Sequence, residues 1–331
     1  MIKTGPLVSV IISAYNAEKY IKETLTSVLC QTYSNIEIIV VNDGSTDNTF
    51  EIASRFSEKC VKVITQENKG QDAALNNGYR HSNGSYIKFM DSDDLINPEM
   101  IEKQIKTLNG SDDYIAYGEW SRFYNDDIKS ANFKKLDNWR DMSSIDFLTS
   151  QKIGPMLQCG IMLVPRKLIE KSGLWDERLI LFNDTEFYTR LLVNSKGIKF
   201  SEGARLYYRS GLQTSISVQK SRKFFESTFL ATNLMADHLL PYENSNRTRA
   251  LLANIYFNQY FEMYPRFTDL AKQHWIKIKE LGGQTVLPTG GNVFIFLKKI
   301  FGWKLAKRIQ LFFYSLGYKP KPFFHKLARI I

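Results

Sequence analysis

The first ninety residues alternate short apolar runs with amphipathic segments, and this alternation constrains the fold more than any other feature of the chain. The apolar runs are rich in Val and Ile, and they predict strands at 7–12, 36–41, 61–64 and 86–90. The segments between them predict helices at 17–31, 46–56 and 72–81. Continuous apolar strands separated by helices are typical of a parallel sheet with helices on both faces. The sequence therefore predicts an α/β fold with a Rossmann-like, mostly parallel sheet.

Polar loops follow three of the predicted strands. They read Ser-Ala-Tyr-Asn at 13–16, Asn-Asp-Gly-Ser-Thr-Asp at 42–47 and Asp-Ser-Asp-Asp at 91–94. In open α/β sheets, ligands bind at the carboxyl ends of the strands. We therefore expect the three loops to converge on one ligand site.

Asp91 and Asp93 are the strongest candidates for chemistry, because two carboxylates two residues apart at a strand end can face the same point. Oxygen ligands of this kind suit Mg²⁺ or Mn²⁺. Taken alone, residues 91–94 fit a polar turn that caps the next helix better than a metal site, and only the accompanying motifs favour the metal site.

In their order along the chain, several segments resemble the family 2 glycosyltransferases, which are inverting enzymes of the GT-A fold that use nucleotide sugars. The similar segments are 8–16, 41–47, 68–78, 89–94, 173–177 and 182–192. The resemblance covers roughly residues 6–215, about two thirds of the chain. It implies the GT-A (nucleotide-diphospho-sugar transferase) fold, an inverting glycosyltransferase activity and a divalent metal.

The resemblance also implies roles for individual residues. Tyr15 would stack near the base, Asp43 would accept from the uracil ring, and Asp91 would contact the ribose. Asp93 would hold the metal, Mn²⁺ or Mg²⁺, on the diphosphate. The other implied nucleotide-sugar contacts are Ala14, Asn68, Gly70, Ser92 and Arg209.

Asp184 matches the position of the family's general base, which deprotonates the acceptor hydroxyl. A carboxylate in the first turn of a helix is also a common N-terminal cap, stabilised as an anion by the helix dipole. The sequence departs from the family pattern at three places: Ser13 replaces a proline, Leu75 an arginine and Asn183 a glutamate. Leu75 puts one diphosphate contact in doubt, and Asn183 is expected to alter the tuning of Asp184.

Arg209 and the hydroxyl-rich segment 214–217 follow at the distance where the family often closes a loop over the diphosphate. A guanidinium can pair with phosphate through two hydrogen bonds. The alternative for this segment is a strand end followed by a surface loop.

Together these features predict sugar transfer from a nucleoside diphosphate, with UDP expected, to a hydroxyl of a glycan or lipid-linked saccharide in bacterial surface polysaccharide synthesis. The competing hypotheses are a nucleotidyltransferase and a non-catalytic nucleotide-binding or membrane-adaptor protein on the same fold. A nicotinamide dehydrogenase is disfavoured because no GxGxxG motif follows the first strand. Nucleic acid is not an expected partner, because no recognised nucleic-acid-reading motif is present.

The chain divides by pattern into three parts: a GT-A domain at 1–215, a helical extension at 216–285 and a basic tail at 286–331. The net charge is +10, but residues 281–331 contain nine Lys and Arg and no Asp or Glu, so the rest of the chain is nearly neutral. The excess of positive charge therefore belongs to the tail.

Apolar residues of the tail recur at helical spacing, with basic residues mainly beside them. The apolar stripe consists of Phe294, Leu297, Phe301, Leu305, Ile309 and Phe312. Basic amphipathic helices of this kind lie at the surface of anionic bilayers. The tail is therefore predicted to bind the membrane surface, although packing of this face on the protein or on a partner is the alternative.

The start of the chain shows no signal-peptide pattern, and no uncharged apolar run reaches membrane-spanning length. We therefore expect a cytoplasmic protein that associates peripherally with the inner face of the cell membrane. Its three cysteines, Cys30, Cys60 and Cys159, match neither a disulfide framework nor a zinc motif, and are expected to be buried, inert thiols.

Overall fold

Eight strands form one sheet in the computed structural model, which describes residues 5–57, 60–212 and 220–318. The strands in chain order are β1 (Val8–Ala14), β2 (Ile36–Asp43), β3 (Val61–Gln66), β4 (Tyr86–Asp91), β5 (Leu95–Ile96), β6 (Tyr114–Tyr124), β7 (Met162–Pro165) and β8 (Gly197–Ser210). Their spatial order is β3-β2-β1-β4-β7-β6-β8-β5. The four strands predicted from the first ninety residues are β1 to β4, and they pair in parallel.

The second half of the sheet is mixed. Strand β7 is antiparallel to both β4 and β6, whereas β6 and β8 run parallel and β5 is antiparallel to β8. The predicted α/β fold with a mostly parallel sheet is therefore confirmed, and its parallel part is the half that carries the polar loops.

Seven helices accompany the strands of the described sheet region. They are α1 (Ile21–Leu29), α2 (Thr49–Ser54), α3 (Gln71–Arg80), α4 (Met100–Leu108), α5 (Ser144–Leu148), α6 (Arg166–Ser172) and α7 (Asn183–Val193). Helices α1 and α2 are shorter than predicted because the polar residues before them tie neighbouring loops together. The Asp47 carboxylate, for example, accepts hydrogen bonds from the backbone N–H groups of Glu18 (3.1 Å) and Thr49 (2.9 Å).

Strand β2 shows why these sequences form a sheet covered on two faces. Successive side chains of a strand point to opposite faces. Ile39 and Val41 pack with Ala74 of α3 on one face. Ile38 and Val40 belong to the main core, which also contains buried residues of α1. The uninterrupted apolar run in the sequence is thus explained by burial on both sides.

Four further helices follow the sheet: α8 (Arg222–Tyr242), α9 (Asn246–Met263), α10 (Thr268–Glu280) and α11 (Asn292–Ser315). Helices α8 to α10 agree with the predicted C-terminal helical extension, and α11 lies in the predicted basic tail. The extension packs on the sheet domain, since the Ser227 hydroxyl of α8 accepts from the backbone N–H groups of Ile180 (2.8 Å) and Leu181 (3.1 Å) before α7. The predicted boundary at 215/216 lies outside the described residues.

Helix α11 differs from the prediction, because it is interrupted. Gly302 has φ 75° and ψ 160°, which is not helical, and the axis kinks there. The predicted stripe consequently does not form one continuous face: Phe294 is buried, whereas Phe301, Leu305 and Phe312 are exposed. No helix among the described residues combines the length and apolarity needed to cross a membrane.

The expectation for the cysteines is wrong at two of three positions. Cys30 follows the end of α1 and Cys60 precedes β3, and both are exposed free thiols. Only Cys159 is buried. The two exposed thiols lie at element ends, where local apolar pattern gives no measure of burial.

Candidate active site

The first two polar loops meet at the carboxyl edge of the sheet, as predicted. The Asn16 side-chain oxygen accepts from the backbone N–H of Thr46 (2.8 Å), and the Asn16 N–H donates to the Ser45 hydroxyl (3.1 Å). Tyr15, in the first of these loops, is 51% exposed, so its ring is accessible to a ligand. Ala14 is the last residue of β1 and is buried, which leaves its backbone as the part available to the site.

Asp43 ends β2 and organises the loop after β3. Its carboxylate accepts from the Gln66 side-chain amide (2.8 Å) and from the backbone N–H groups of Lys69 (2.9 Å) and Gly70 (2.9 Å). A carboxylate offers about four acceptor positions. Three of these positions are therefore used within the protein. Asp43, the residue predicted to contact uracil, thus holds the loop after β3 in place.

Glycine is required at two positions of these loops. Gly44 has φ 71°, and a Cβ there would lie 2.8 Å from the backbone nitrogen of Asn68. Gly70 has φ 92° and immediately precedes α3. Asn68 and Gly70 are both exposed. The predicted nucleotide-contact residues thus lie on a loop that packs directly against Gly44.

The third polar loop forms an acidic cluster. Asp91, Asp93 and Asp94 each place a carboxylate oxygen within 4.8 Å of the others. Asp91 and Asp93 are half-buried, and Asp94 is fully buried. Ser92 contributes its backbone carbonyl, which accepts from the Thr24 hydroxyl (2.9 Å) and so attaches the loop to α1.

Two glutamines hold Asp91. The Gln71 amide donates to its Oδ1 (2.6 Å) and the Gln158 amide to its Oδ2 (2.9 Å), while the Cys159 Sγ lies 3.8 Å from Oδ1. The carboxylate is therefore fixed by residues from two distant parts of the chain, at 71 and at 158–159. Any contact with ribose has to share these oxygens.

Asp94 is held in the same way, and Asp93 is not. Gln158 donates to Oδ2 of Asp94 (2.7 Å), and the Arg209 backbone N–H donates to Oδ1 (2.8 Å). In the part of the chain that the structure describes, no side chain donates a hydrogen bond to the Asp93 carboxylate. Asp93 is thus the member of the cluster with the most acceptor capacity left for a ligand.

Arg209 is bound within the protein rather than free for phosphate. Its Nε donates to the backbone oxygen of Asp93 (2.8 Å), and its terminal nitrogens pair with Glu23 (2.7 Å) and Asp126. The guanidinium also lies 4.6 Å from the ring centroids of Tyr20 and Phe123. With the side chain only 2% exposed, its evident task is to support the acidic loop.

Burial and mutual repulsion raise the pKa values of the cluster. Desolvation raises the pKa of Asp91, and desolvation together with the Asp91 charge raises that of Asp93 to about 7. For Asp94 desolvation raises the pKa further, with Asp93 and Asp91 adding to it. A bound cation would offset the repulsion between these carboxylates, so the cluster is suited to bind one.

Asp184 is the second residue of α7 and lies close to this cluster. Phe182 precedes the helix in a left-handed conformation (φ 67°), and no side chain caps the helix. Burial raises the pKa of Asp184 well above its usual range, and the charges of Asp91 and Asp72 add to the effect. The alternative weighed for Asp184, a helix cap stabilised as an anion, therefore does not hold: its side chain makes no capping hydrogen bond, and desolvation outweighs the helix terminus in its effect on the pKa.

A second buried carboxylate stands beside Asp184. The Asn183 amide donates to Oδ1 of Asp72 on α3 (2.5 Å), while Oδ2 of Asp72 is buried and has no partner among the described residues. Desolvation raises the pKa of Asp72 to about 7. The asparagine at 183 thus orients a neighbouring acid whose charge acts on Asp184.

Aromatic packing and one buried ion pair position α7. The Trp175 and Phe187 rings stack at 3.9 Å, and Phe89 of β4 meets both edge-on at 5.3 and 5.7 Å. Arg190 pairs with Glu186 (2.8 Å) and donates to the backbone before α7. The strand that ends in Asp91 and the helix that begins near Asp184 therefore share one rigid core.

Gln71, Gln158, Cys159 and Asp72 belong to the site, but the sequence did not single them out. Gln71 and Asp72 lie within the segment 68–78, in which Asn68 and Gly70 were the residues predicted to contact the nucleotide sugar. Gln158 has no local signal, because its partners Asp91 and Asp94 are 67 and 64 residues away. The segment 214–217, predicted to close over the diphosphate, lies outside the described residues.

The donor set of the cluster fits a hard divalent cation. Three carboxylates converge, and oxygen ligands are those that Mg²⁺ and Mn²⁺ prefer. Asp94 is fully buried and each of its oxygens accepts a hydrogen bond, one from Gln158 and one from Arg209, so the half-buried Asp93 and Asp91 are the groups available to an ion.

Residues 9–173 match the family model described as Glycosyl transferase family 2. The chain belongs to glycosyltransferase family 2. An uncharacterised glycosyltransferase of Rickettsia typhi is 37% identical over 190 residues, which are 57% of this chain and 59% of the relative. Glycosyltransferase GlyG of Streptococcus pneumoniae is 42% identical over 210 residues, covering 61% and 64% respectively. The chain thus spans less than two thirds of the length of these two relatives.

Solved structures show the same fold. Staphylococcus aureus TarS 1-349 in complex with UDP-GlcNAc has a TM-score of 0.65 at 20% identity, over 83% of this chain and 80% of that one. The mannosyltransferase PcManGT from Pyrobaculum calidifontis, in complex with GDP-Man and Mn²⁺, has a TM-score of 0.54 at 16% identity, over 96% and 82%. The predicted GT-A fold is thereby confirmed.

Proposed function

We propose that this protein transfers a sugar from a UDP-sugar to a hydroxyl group of a glycan or lipid-linked saccharide, with inversion at the anomeric carbon. One observation carries the proposal: the acidic cluster at the carboxyl edge of the parallel strands lies close enough to Asp184 for the Asp91 charge to raise its pKa. A cation site and a single base are the two groups that an in-line displacement of a diphosphate needs.

The donor would lie across the loops after β1, β2 and β3. Tyr15 offers an exposed ring for stacking on the base, and Asp43 keeps one acceptor position for a ring N–H. The choice of UDP is supported by the TarS structures, which contain UDP or UDP-GlcNAc. PcManGT was solved with GDP-Man, so the nucleotide has to be tested directly.

Asp93 would hold Mn²⁺ or Mg²⁺ against the diphosphate. The bound ion would offset the negative charge that develops on the leaving group. Arg209 contributes by fixing the backbone of Asp93 and the carboxylate of Asp94, and so keeps the cluster in place before any ligand arrives. Its role in this proposal is positioning, in place of the phosphate contact expected from the sequence.

Asp184 would take the proton from the acceptor hydroxyl as the new bond forms. The raised pKa of Asp184 makes its carboxylate a stronger base. It also brings the pKa closer to the operating pH, where general bases act best. The acceptor is proposed to belong to a bacterial surface polysaccharide. This part is supported only by the bacterial origin of relatives such as GlyG.

Calorimetric titration with UDP, ADP, GDP and a panel of UDP-sugars, each with Mn²⁺ and with EDTA, tests the proposal. We expect Mn²⁺-dependent binding of UDP that disappears in Asp93→Ala and persists in Asp237→Ala, an exposed control on α8. The UDP-sugar that binds is then supplied with candidate saccharides, and release of UDP is measured. Absence of nucleotide binding under both conditions would overturn the proposal in favour of a non-catalytic protein on this fold.

A further inference from the structure

Helix α11 leaves ten large apolar side chains in solvent, whereas α10 leaves two. The most exposed of them define what we call the tail surface: Val293, Phe296, Ile300, Phe301, Phe312 and Phe313. Their exposed fractions run from 48% to 69%. Apolar patches of this kind on a folded protein usually mark a binding surface.

Other side chains of α11 are firmly packed, so the helix has a fixed orientation on the body. The Trp303 ring lies between 5.2 and 5.9 Å from the rings of Phe257, Tyr260, Phe261 and Tyr264. Phe294 is buried against Phe261. Trp303 follows the kink at Gly302 and Phe294 precedes it, so both halves of α11 are attached to α9.

The charged residues of α11 itself have one sign, and the nearest acidic residue acting on them is Glu262 of α9, beside the buried Lys307. Lys299, Lys304 and Arg308 are exposed on α11, and the whole segment 281–331 contains no Asp or Glu. Lys298 is half-buried and donates to the backbone oxygen of Pro288 (2.8 Å). The partner of this surface must therefore accept apolar side chains and supply negative charge.

We propose that the tail surface binds an anionic lipid bilayer, into which its exposed Phe and Ile side chains insert at the level of the headgroups. Basic side chains next to exposed aromatic residues are the pattern of helices that lie at such interfaces. The cytoplasmic leaflet of the cell membrane is negatively charged and attracts basic segments next to it. The proposal concerns attachment alone and does not depend on the proposed sugar transfer.

A second copy of the chain fits the surface less well. In a two-fold dimer the same patch meets itself. Lys299, Lys304 and Arg308 of one copy would then face those of the other, without an acidic residue in the tail to pair with them. A bilayer surface of anionic lipids supplies the missing charge.

Vesicle flotation with the full chain tests the proposal. We expect it to float with phosphatidylcholine vesicles that contain 30% phosphatidylglycerol, and not with phosphatidylcholine alone, and to be released in part by 0.5 M salt. Phe296→Glu with Phe301→Glu places charges at two exposed sites of the tail surface and should reduce the bound fraction at least tenfold. Phe50→Glu with Ile276→Glu is the matched control, because these side chains are also exposed (42% and 54%) but lie on α2 and α10.

Three results would overturn the proposal: no flotation with anionic vesicles, equal flotation of both double variants, or equal binding to neutral vesicles. A dimer in sedimentation velocity that Phe296→Glu with Phe301→Glu dissociates, without vesicle binding, would assign the surface to a second copy instead. Thermal unfolding and UDP calorimetry of the same variants show whether the fold and the donor site are intact. Failure of attachment is thereby distinguished from failure of the proposed function.

Discussion

The sheet edge and the tail helix handle charge and apolar surface in opposite ways. At the sheet edge five carboxylates, those of Asp72, Asp91, Asp93, Asp94 and Asp184, are gathered in or near a buried site, and burial raises the pKa of each. On the tail, the exposed charges are all positive and ten large apolar side chains of α11 are exposed to solvent.

Each region therefore carries an excess of charge or of exposed apolar surface that no other part of the described chain neutralises or covers. Excess negative charge at the sheet edge favours a cation, and excess apolar and positive surface on the tail favours an anionic interface. The difference is that the carboxylates of Asp72, Asp91 and Asp94 are fixed by long-range hydrogen bonds, whereas the tail surface depends on residues close together in sequence. Substitutions at the sheet edge should consequently change activity and the free energy of unfolding more than substitutions on the tail.

The largest effect is expected for Asp184→Asn. An amide cannot accept the proton from the acceptor, so kcat should fall about 10³-fold while UDP affinity changes little. Turnover and calorimetry on the same preparation measure the two quantities. Asp237→Asn on α8 is the control and should keep wild-type kcat. A kcat near wild type in Asp184→Asn would remove this residue from the chemistry.

Gln158→Leu should have the next largest effect. Asp91 and Asp94 each lose a hydrogen-bond donor in a buried setting, so the free energy of unfolding should fall by about 2 kcal/mol. The matched change on the tail is Gln310→Leu. Among the described residues the Gln310 amide bonds only to the Tyr314 hydroxyl (2.9 Å), so the change in the free energy of unfolding should stay within about 0.5 kcal/mol. Equal losses in urea unfolding would contradict the contrast drawn between the two regions.

Asp72→Asn should change how stability depends on pH. The folded pKa of Asp72 is about 7, above its ordinary value, so the folded state keeps a proton that the unfolded chain has already lost. This contribution is full below about pH 4 and is lost as the pH rises through 7. Between pH 5 and 8 the wild type should therefore lose on the order of 2 kcal/mol more than Asp72→Asn, because each pKa unit corresponds to about 1.4 kcal/mol.

Urea unfolding of both proteins at pH 5 and pH 8 measures this difference, with Asp237→Asn as the control that keeps wild-type behaviour. Parallel pH dependence in wild type and Asp72→Asn would show that the buried carboxylate does not titrate as inferred. The same variant removes a negative charge near Asp184, so the acidic limb of the kcat/KM profile should move to lower pH.

The smallest effect is expected for Gly302→Ala at the kink of α11. A Cβ would meet nothing within 4 Å, so the loss of about 1 kcal/mol comes from the positive φ alone. Gly291→Ala, just before the helix, is the matched control because φ is −64° there and space is equally open. Thermal unfolding that ranks the two variants equally would argue against the kink.

Sequence reasoning located the sheet and much of the site because both depend on local pattern. The strands β1 to β4, the polar loops at their ends, and the candidates Asp91, Asp93 and Asp184 are all visible in short segments. The partners of those residues are not, since Gln158 and the backbone of Arg209 reach Asp94 from 64 and 115 residues away. The interruption at Gly302 was missed because apolar spacing continues through it.

The sequence separations within the site also determine when it can exist during synthesis. Asn183 reaches Asp72 across 111 residues, and Arg209 reaches Glu23 across 186. Contacts this distant are formed late, since a long loop must close before they contribute. A chain that has emerged only as far as β4 has its acidic loop but lacks Gln158, Asn183 and Arg209. The acidic cluster and its partners are thus assembled only after β8 has been made, so a half-synthesised protein lacks the site at which we propose that the nucleotide sugar binds.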